Sequence, residues 1–108
     1  MTDVVVILVT APSNEPAQQI ARELVESGLA ACVNRVPGIR SVYRWEGRIH
    51  DDGEDLLIIK TGRAQAEALT ARVREIHPYE EPEVLVLPVS AGSPSYLAWV
   101  LAQTAGSG

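Results

Sequence analysis

The strongest constraint on the fold is the order in which apolar periodicity changes along the chain. Val4 to Val9 is an unbroken run of β-branched and aliphatic residues closed by Thr10-Ala11-Pro12. Such a run predicts a strand buried on both faces. Directly after it, Ala17, Ile20, Ala21, Leu24 and Val25 recur at the spacing of one helical stripe. Ser13 or Asn14 is placed to cap that helix, Pro16 suits its first turn, and Gly28 suits a left-handed stop.

The same alternation then repeats. Ala31 to Val36 has strand character, and Pro37-Gly38 predicts a bulge or bend because proline lacks a ladder N–H. Beyond it Ile39, Ser41, Tyr43 and Trp45 fall on one face, with Arg40, Val42, Arg44 and Glu46 on the other. His50 to Asp55 reads as a turn, with Asp52-Gly53 as its hairpin signal, and Leu56 to Ile59 as the returning strand. Ala66, Leu69, Val73 and Ile76 mark a second helix that ends before His77-Pro78. Glu83 to Val89 is predicted as a fourth strand, and Ser93-Pro94 opens a last helix with Leu97, Val100 and Leu101. The tail Ala105 to Gly108 is expected to fray. The order β-α-β-β-α-β with right-handed crossovers predicts an α+β, ferredoxin-like split βαβ sandwich with an extra C-terminal helix. A chain of 108 residues is expected to hold one domain, spanning 1–108.

A mismatch of lengths points beyond a single copy. Residues 39–49 extended would reach about 36 Å at ~3.3 Å per residue. A first helix of about 13 residues covers only about 20 Å. Part of the hairpin must therefore overhang its own helical layer, leaving open strand edges that proteins usually pair or cover. This argues for oligomerisation through the hairpin. A bent, solvated hairpin whose aromatics fold back on their own sheet is the competing reading. All five aromatics, Tyr43, Trp45, Tyr79, Tyr96 and Trp99, lie at or after position 43. Aromatics are enriched where subunits meet, so Trp45 is expected to be covered by another chain.

Charge and composition exclude several functions. Nine basic and fourteen acidic residues give a formal charge of −5. This argues against nucleic-acid binding through phosphate neutralisation, and against an anionic membrane surface. No apolar run approaches the ~18 residues of a membrane span. The start has Asp3 where a signal peptide would carry Lys or Arg, and the single cysteine suits a reducing compartment, so the cytoplasm is expected.

Enzyme signatures are sparse, and no catalytic residue is assigned. The glycines are scattered singly at breaks rather than gathered in a phosphate loop. Cys32 with His77 is a conceivable nucleophile pair, against the commoner reading of Cys32 as a small buried hydrophobe. His77-Pro78-Tyr79-Glu80-Glu81-Pro82-Glu83 is the most informative stretch. An imidazole near carboxylates suits Cu2+ or another borderline divalent ion, yet one His is a poor closed site, and a helix-capping role stands equally. His50 with Asp51, Asp52, Glu54 and Asp55 reads as a solvated turn. Lys60, the only Lys beside eight Arg, ends a strand and is a candidate point charge for an anionic ligand.

These segments resemble the divalent-cation tolerance family, the CutA-like proteins. The resemblance is carried by VVVILVTAP, LAACVNRVPGIRSVYRWEGRI, LLIIKT, HPYEEPEVLVLPV and SPSYLAWV, in order and over nearly the whole chain. It implies ferredoxin-like homotrimers joined through long hairpins, similar to the PII-like signalling proteins. It also implies cytoplasmic tolerance of copper and other divalent metals, with no catalytic activity and no organic cofactor. Intersubunit clefts would then gather Trp45, Glu46, Lys60, Tyr79 and Glu80 of neighbouring chains. Some members bind copper through a Cys ending the first strand and a His-His pair before Pro-Tyr. Val9 and Ile76 stand at two of those positions, so only His77 carries over as a metal ligand. Two functions follow as expectations: a metal-responsive trimer, or an intersubunit sensor of a small anionic ligand. A hydrolase or transferase using Cys32 is a weaker third.

Overall fold

The computed structural model describes residues 1–104, so the expected fraying of Ala105 to Gly108 lies outside the described residues. The elements run β1 (Val4–Pro12), α1 (Glu15–Glu26), β2 (Cys32–Trp45), β3 (Arg48–Gly62), a 3-10 turn (Arg63–Gln65), α2 (Ala66–Ile76), β4 (Leu85–Pro88) and α3 (Pro94–Thr104). They form one sheet in the order β2-β3-β1-β4 with every neighbouring pair antiparallel. This is the predicted α+β, ferredoxin-like arrangement with an added C-terminal helix.

One sheet face carries the core. Val5, Ile7 and Val9 of β1 and Leu57 and Ile59 of β3 are buried against Ile20 and Leu24 of α1 and Leu69 and Val73 of α2. Burying each such side chain contributes about 1.5–3 kcal/mol. Gly28 stops α1 with φ 79°, as its sequence position predicts. The expected side-chain N-cap is absent: Asn14 sits left-handed at φ 69° and supplies only its carbonyl, to Gln18 N at 2.9 Å.

The expectation that β1 is buried on both faces is corrected. Its burial alternates, with Val6, Leu8 and Thr10 only half covered. Helices pack on one face along its length, whereas on the other α3 covers only the Val4–Gly62 end. There a Cβ on Gly62 would meet Leu101 at 3.2 Å, which is why glycine fits. None of the described helices is long and apolar enough to cross a membrane.

The hairpin is longer than expected, and its turn lies elsewhere. The chain reverses at Glu46-Gly47, with φ 50° and 78°, both left-handed as a two-residue type I′ turn requires. Asp52-Gly53 instead lies inside β3, paired with Ser41 and Arg40. A Cβ there would meet only the Arg40 guanidinium, at 3.3 Å, the movable end of an exposed side chain. The Pro37-Gly38 bulge is as expected: the register shifts between Val36 and Ile39, and Gly38 has φ 78°. β1 pairs with β3 only as far as Glu54, so Ile39–Trp45 and Arg48–Gly53 project as a two-stranded arm. The overhang argued from element lengths is therefore present. β4 is shorter than expected, because only Leu85–Pro88 pairs, and only with Val5–Leu8.

Candidate functional site

The site begins where α2 ends. Pro78 disfavours helical geometry at the residue before it, and His77 leaves the helix extended at ψ 138°, its N–H still bonded to the Val73 carbonyl. The ring turns inward and is buried. Its Nδ1 accepts the Tyr79 N–H at 3.0 Å, so the neutral ring carries its proton on Nε2 and donates it to the Thr10 carbonyl at 2.8 Å. Both ring nitrogens are engaged. His77 thus holds the helix C-cap position through its backbone, while its ring bonds β1 and the connection rather than an α2 carbonyl, and a metal would have to displace one of these bonds.

Holding His77 against β1 brings the next residues alongside the hairpin arm. Tyr43, Trp45, Pro78, Tyr79, Glu80 and Glu81 line a cleft of about 330 Å³. A second lobe of about 460 Å³ continues past Tyr43 and Tyr79 to Thr10, Ser41, Glu54 and Glu83. Of the expected cleft residues, the chain itself brings Trp45, Tyr79 and Glu80 together. Glu46 adjoins them at the arm's turn. Lys60 lies apart: it is six positions along β3 from Glu54, about 20 Å at ~3.3 Å each, opposite Val6 and Cys32. Its ammonium donates to Asn34 Oδ1 and the Ile58 carbonyl. No carboxylate pairs with it among the described residues.

Glu54 and Tyr43 are the site residues that the sequence reading missed. Glu54 was placed in a solvated turn, but it is 3% exposed, and its Oε2 has no hydrogen-bond partner. Burial, and then a hydrogen bond to Glu54, push the Tyr79 hydroxyl well above the usual phenol range. Desolvation, and then the charge of Glu54, push the Glu83 carboxyl up. A hydrogen bond to Asp52 raises the Tyr43 hydroxyl, whose ring stacks on His50 at 5.2 Å. Alternation already put Tyr43 beside Trp45; the false turn at Asp52-Gly53 hid Glu54. The Cys32–His77 pair does not form, since His77 meets Thr10, opposite Leu56, while Cys32 lies opposite Lys60. Among the described residues no three His, Cys, Asp or Glu side chains converge as a metal cluster.

Comparison with known proteins agrees with this architecture. The family model described as CutA1 divalent ion tolerance protein matches residues 5–103. The Divalent-cation tolerance protein CutA of Thermus thermophilus is 48% identical over 92% of this chain and 96% of its own length. Protein CutA, chloroplastic, of Arabidopsis thaliana is 49% identical over 89% of this chain, which spans only 53% of that relative. The apo structure of the PII-like protein CutA from Nostoc sp. PCC 7120 superposes with a TM-score of 0.87 at 36% identity, covering 93% of this chain and 96% of that one. From strand order to hairpin to the His-Pro-Tyr connection, the chain belongs to the CutA1 divalent ion tolerance family.

Proposed function

We propose that this chain is a single-domain, cytoplasmic protein that assembles as a homotrimer and takes part in tolerance of divalent metal ions by binding rather than catalysis. Family membership over residues 5–103 is the observation that carries this reading. The projecting arm supports the assembly, because its two strand edges extend beyond β1 and its Trp45 is 40% exposed in one chain. Copper or a similar ion would be held weakly. His77 is the one ligand carried over from the family's copper set, and its Nδ1 must exchange the Tyr79 amide for the ion. Calorimetric copper titration of wild type and His77→Ala tests this. A drop in affinity is expected, and unchanged affinity removes His77 as a ligand. Light scattering with and without copper tests the assembly, and a monomer under both conditions refutes it.

A second reading, a sensor of a small anionic ligand between subunits, is favoured by Lys60, a half-buried ammonium with no carboxylate partner among the described residues. Thermal-shift screening against small anions would show stabilisation in wild type that Lys60→Ala loses. A ligand at ~100 times its dissociation constant adds about 2.7 kcal/mol, which such a screen resolves. Stabilisation equal in both proteins refutes this reading.

A further inference from the structure

We propose that the sheet face turned away from α1 and α2 is a contact between copies, and that Glu54 on it pairs with Lys60 of the partner subunit. The pair presupposes assembly through the arm, and it fixes how two copies meet. The ladder and strand alternation place Val6, Leu8, Ile58, Leu85 and Leu87 on this face. Within one chain α3 covers it only at the Val4–Gly62 end, and Leu85 and Leu87 stay 53% and 42% exposed. A contiguous apolar face left open in one copy marks a contact surface.

Charge decides what covers it. On the four-stranded part of this face only two paired residues are charged, Lys60 toward one end and Glu54 at the other, where the arm leaves β1. Neither meets its counter-charge within the chain. Glu54 is 3% exposed with Oε2 unpartnered, and Lys60 donates to Asn34 Oδ1 and the Ile58 carbonyl. Six positions of β3, about 20 Å at ~3.3 Å each, keep the two apart. A buried carboxylate oxygen without a donor is destabilising, so the donor comes from outside the chain. A second copy laid on the face end for end supplies it, since apolar surface then meets apolar surface and the partner's Lys60 meets Glu54. Symmetry repeats the pair in every copy. Arg44 and Arg48 also lack a carboxylate among the described residues, but both sit toward the arm's tip, beyond the apolar strands. The anion held at Lys60 is then a carboxylate of the partner subunit, and a soluble anion binds there only by displacing it.

Sedimentation velocity across a dilution series, in urea that half dissociates wild type, reads the strength of assembly, and circular dichroism confirms that each variant folds. Glu54→Gln and Lys60→Met are each expected to weaken assembly by about tenfold or more. Combined, they are expected to weaken it by less than the product of the two, because the second change removes a contact already broken by the first. The remote Glu67→Gln variant is expected to match wild type. Assembly unchanged in both single variants, effects that multiply in full, or equal weakening in Glu67→Gln overturns the pair while leaving the assembly itself standing. Wild type that stays a single chain at every concentration, with or without urea, overturns the assembly and the pair with it.

Discussion

His77→Ala should destabilise the fold itself, apart from any effect on metal. β4 stops pairing at Leu8, and two residues farther along β1 the Thr10 carbonyl is met by the His77 ring instead of a strand. The same ring accepts the Tyr79 amide, so one buried side chain ties α2, β1 and the start of the connection together. Two part-buried hydrogen bonds at ~1 kcal/mol each are lost, and the Thr10 carbonyl and Tyr79 amide left without the ring add about 1 kcal/mol more. A loss of about 3 kcal/mol is expected, which lowers the melting temperature by roughly 10 °C or more in a domain this small. Urea unfolding at one fixed protein concentration measures it, since assembly makes apparent stability concentration-dependent. His77→Asn keeps an acceptor for Tyr79 and His77→Gln keeps a donor for Thr10, so each should recover part of the loss. A midpoint for His77→Ala within ~0.5 kcal/mol of wild type, the range of ordinary surface substitutions, would show that the ring is no strut.

Other perturbations probe the arm, the core and the acidic cleft. Gly47→Val forces a β-branched residue to φ 78° and should cost at least ~1–2 kcal/mol, read as a lower unfolding midpoint. Leu57→Ala, at a fully buried core position, should cost about 2–5 kcal/mol in the same experiment. The Glu83 carboxyl titrates higher in the folded protein than in the unfolded chain, so the folded state binds more protons between those two values. Its contribution is therefore greatest below the ordinary carboxylate range and is lost as pH rises through the raised value. Glu83→Gln should flatten that fall in unfolding midpoint, and an identical pH profile refutes the assignment. In phenolate absorbance titration Tyr79 should ionise late, and Glu54→Gln should bring it earlier.

Much of the fold was legible because its signals are local. The apolar run of β1, the stripe of α1, the Gly28 stop and the Pro37-Gly38 bulge each follow from a few neighbouring residues. The hairpin turn was misplaced because two Xaa-Gly pairs competed. Asp-Gly is the stronger local signal, but turning at Asp52-Gly53 would forfeit the ladder from Ile39–Glu54 to Trp45–Arg48. Long-range pairing overrode the dipeptide. The half-covered face of β1 was misread for a related reason, since an unbroken apolar run does not say whether its second covering comes from the same chain.

That error propagated into the site, and its physical cause shows where function concentrates. Once Asp52-Gly53 is taken for a turn, Glu54 becomes a solvated loop residue, and the cleft loses its back wall. In the structure the local rules fail at both ends of the arm, at its Glu46-Gly47 tip and at its Glu54 base. Glu46 holds a left-handed conformation without being glycine, Glu54 is buried with an oxygen unpartnered, and β4 ends early, leaving Thr10 to the His77 side chain. Each departure is unfavourable taken alone, and none is needed to build the core of Ile7, Leu57 and Leu69. Strained or uncompensated groups of this kind are kept where they serve either the fold or recognition, and for Glu54 the two uses can be told apart. Replacing Glu54 with an apolar residue of similar size separates the two uses. Glu54→Leu should leave the stability of the separate chain equal to or above wild type by removing the unpartnered buried carboxylate oxygen, read as the urea unfolding midpoint at dilutions that keep chains apart. A Glu54→Leu protein that unfolds more easily than Glu54→Gln would mean that the carboxylate serves the fold instead.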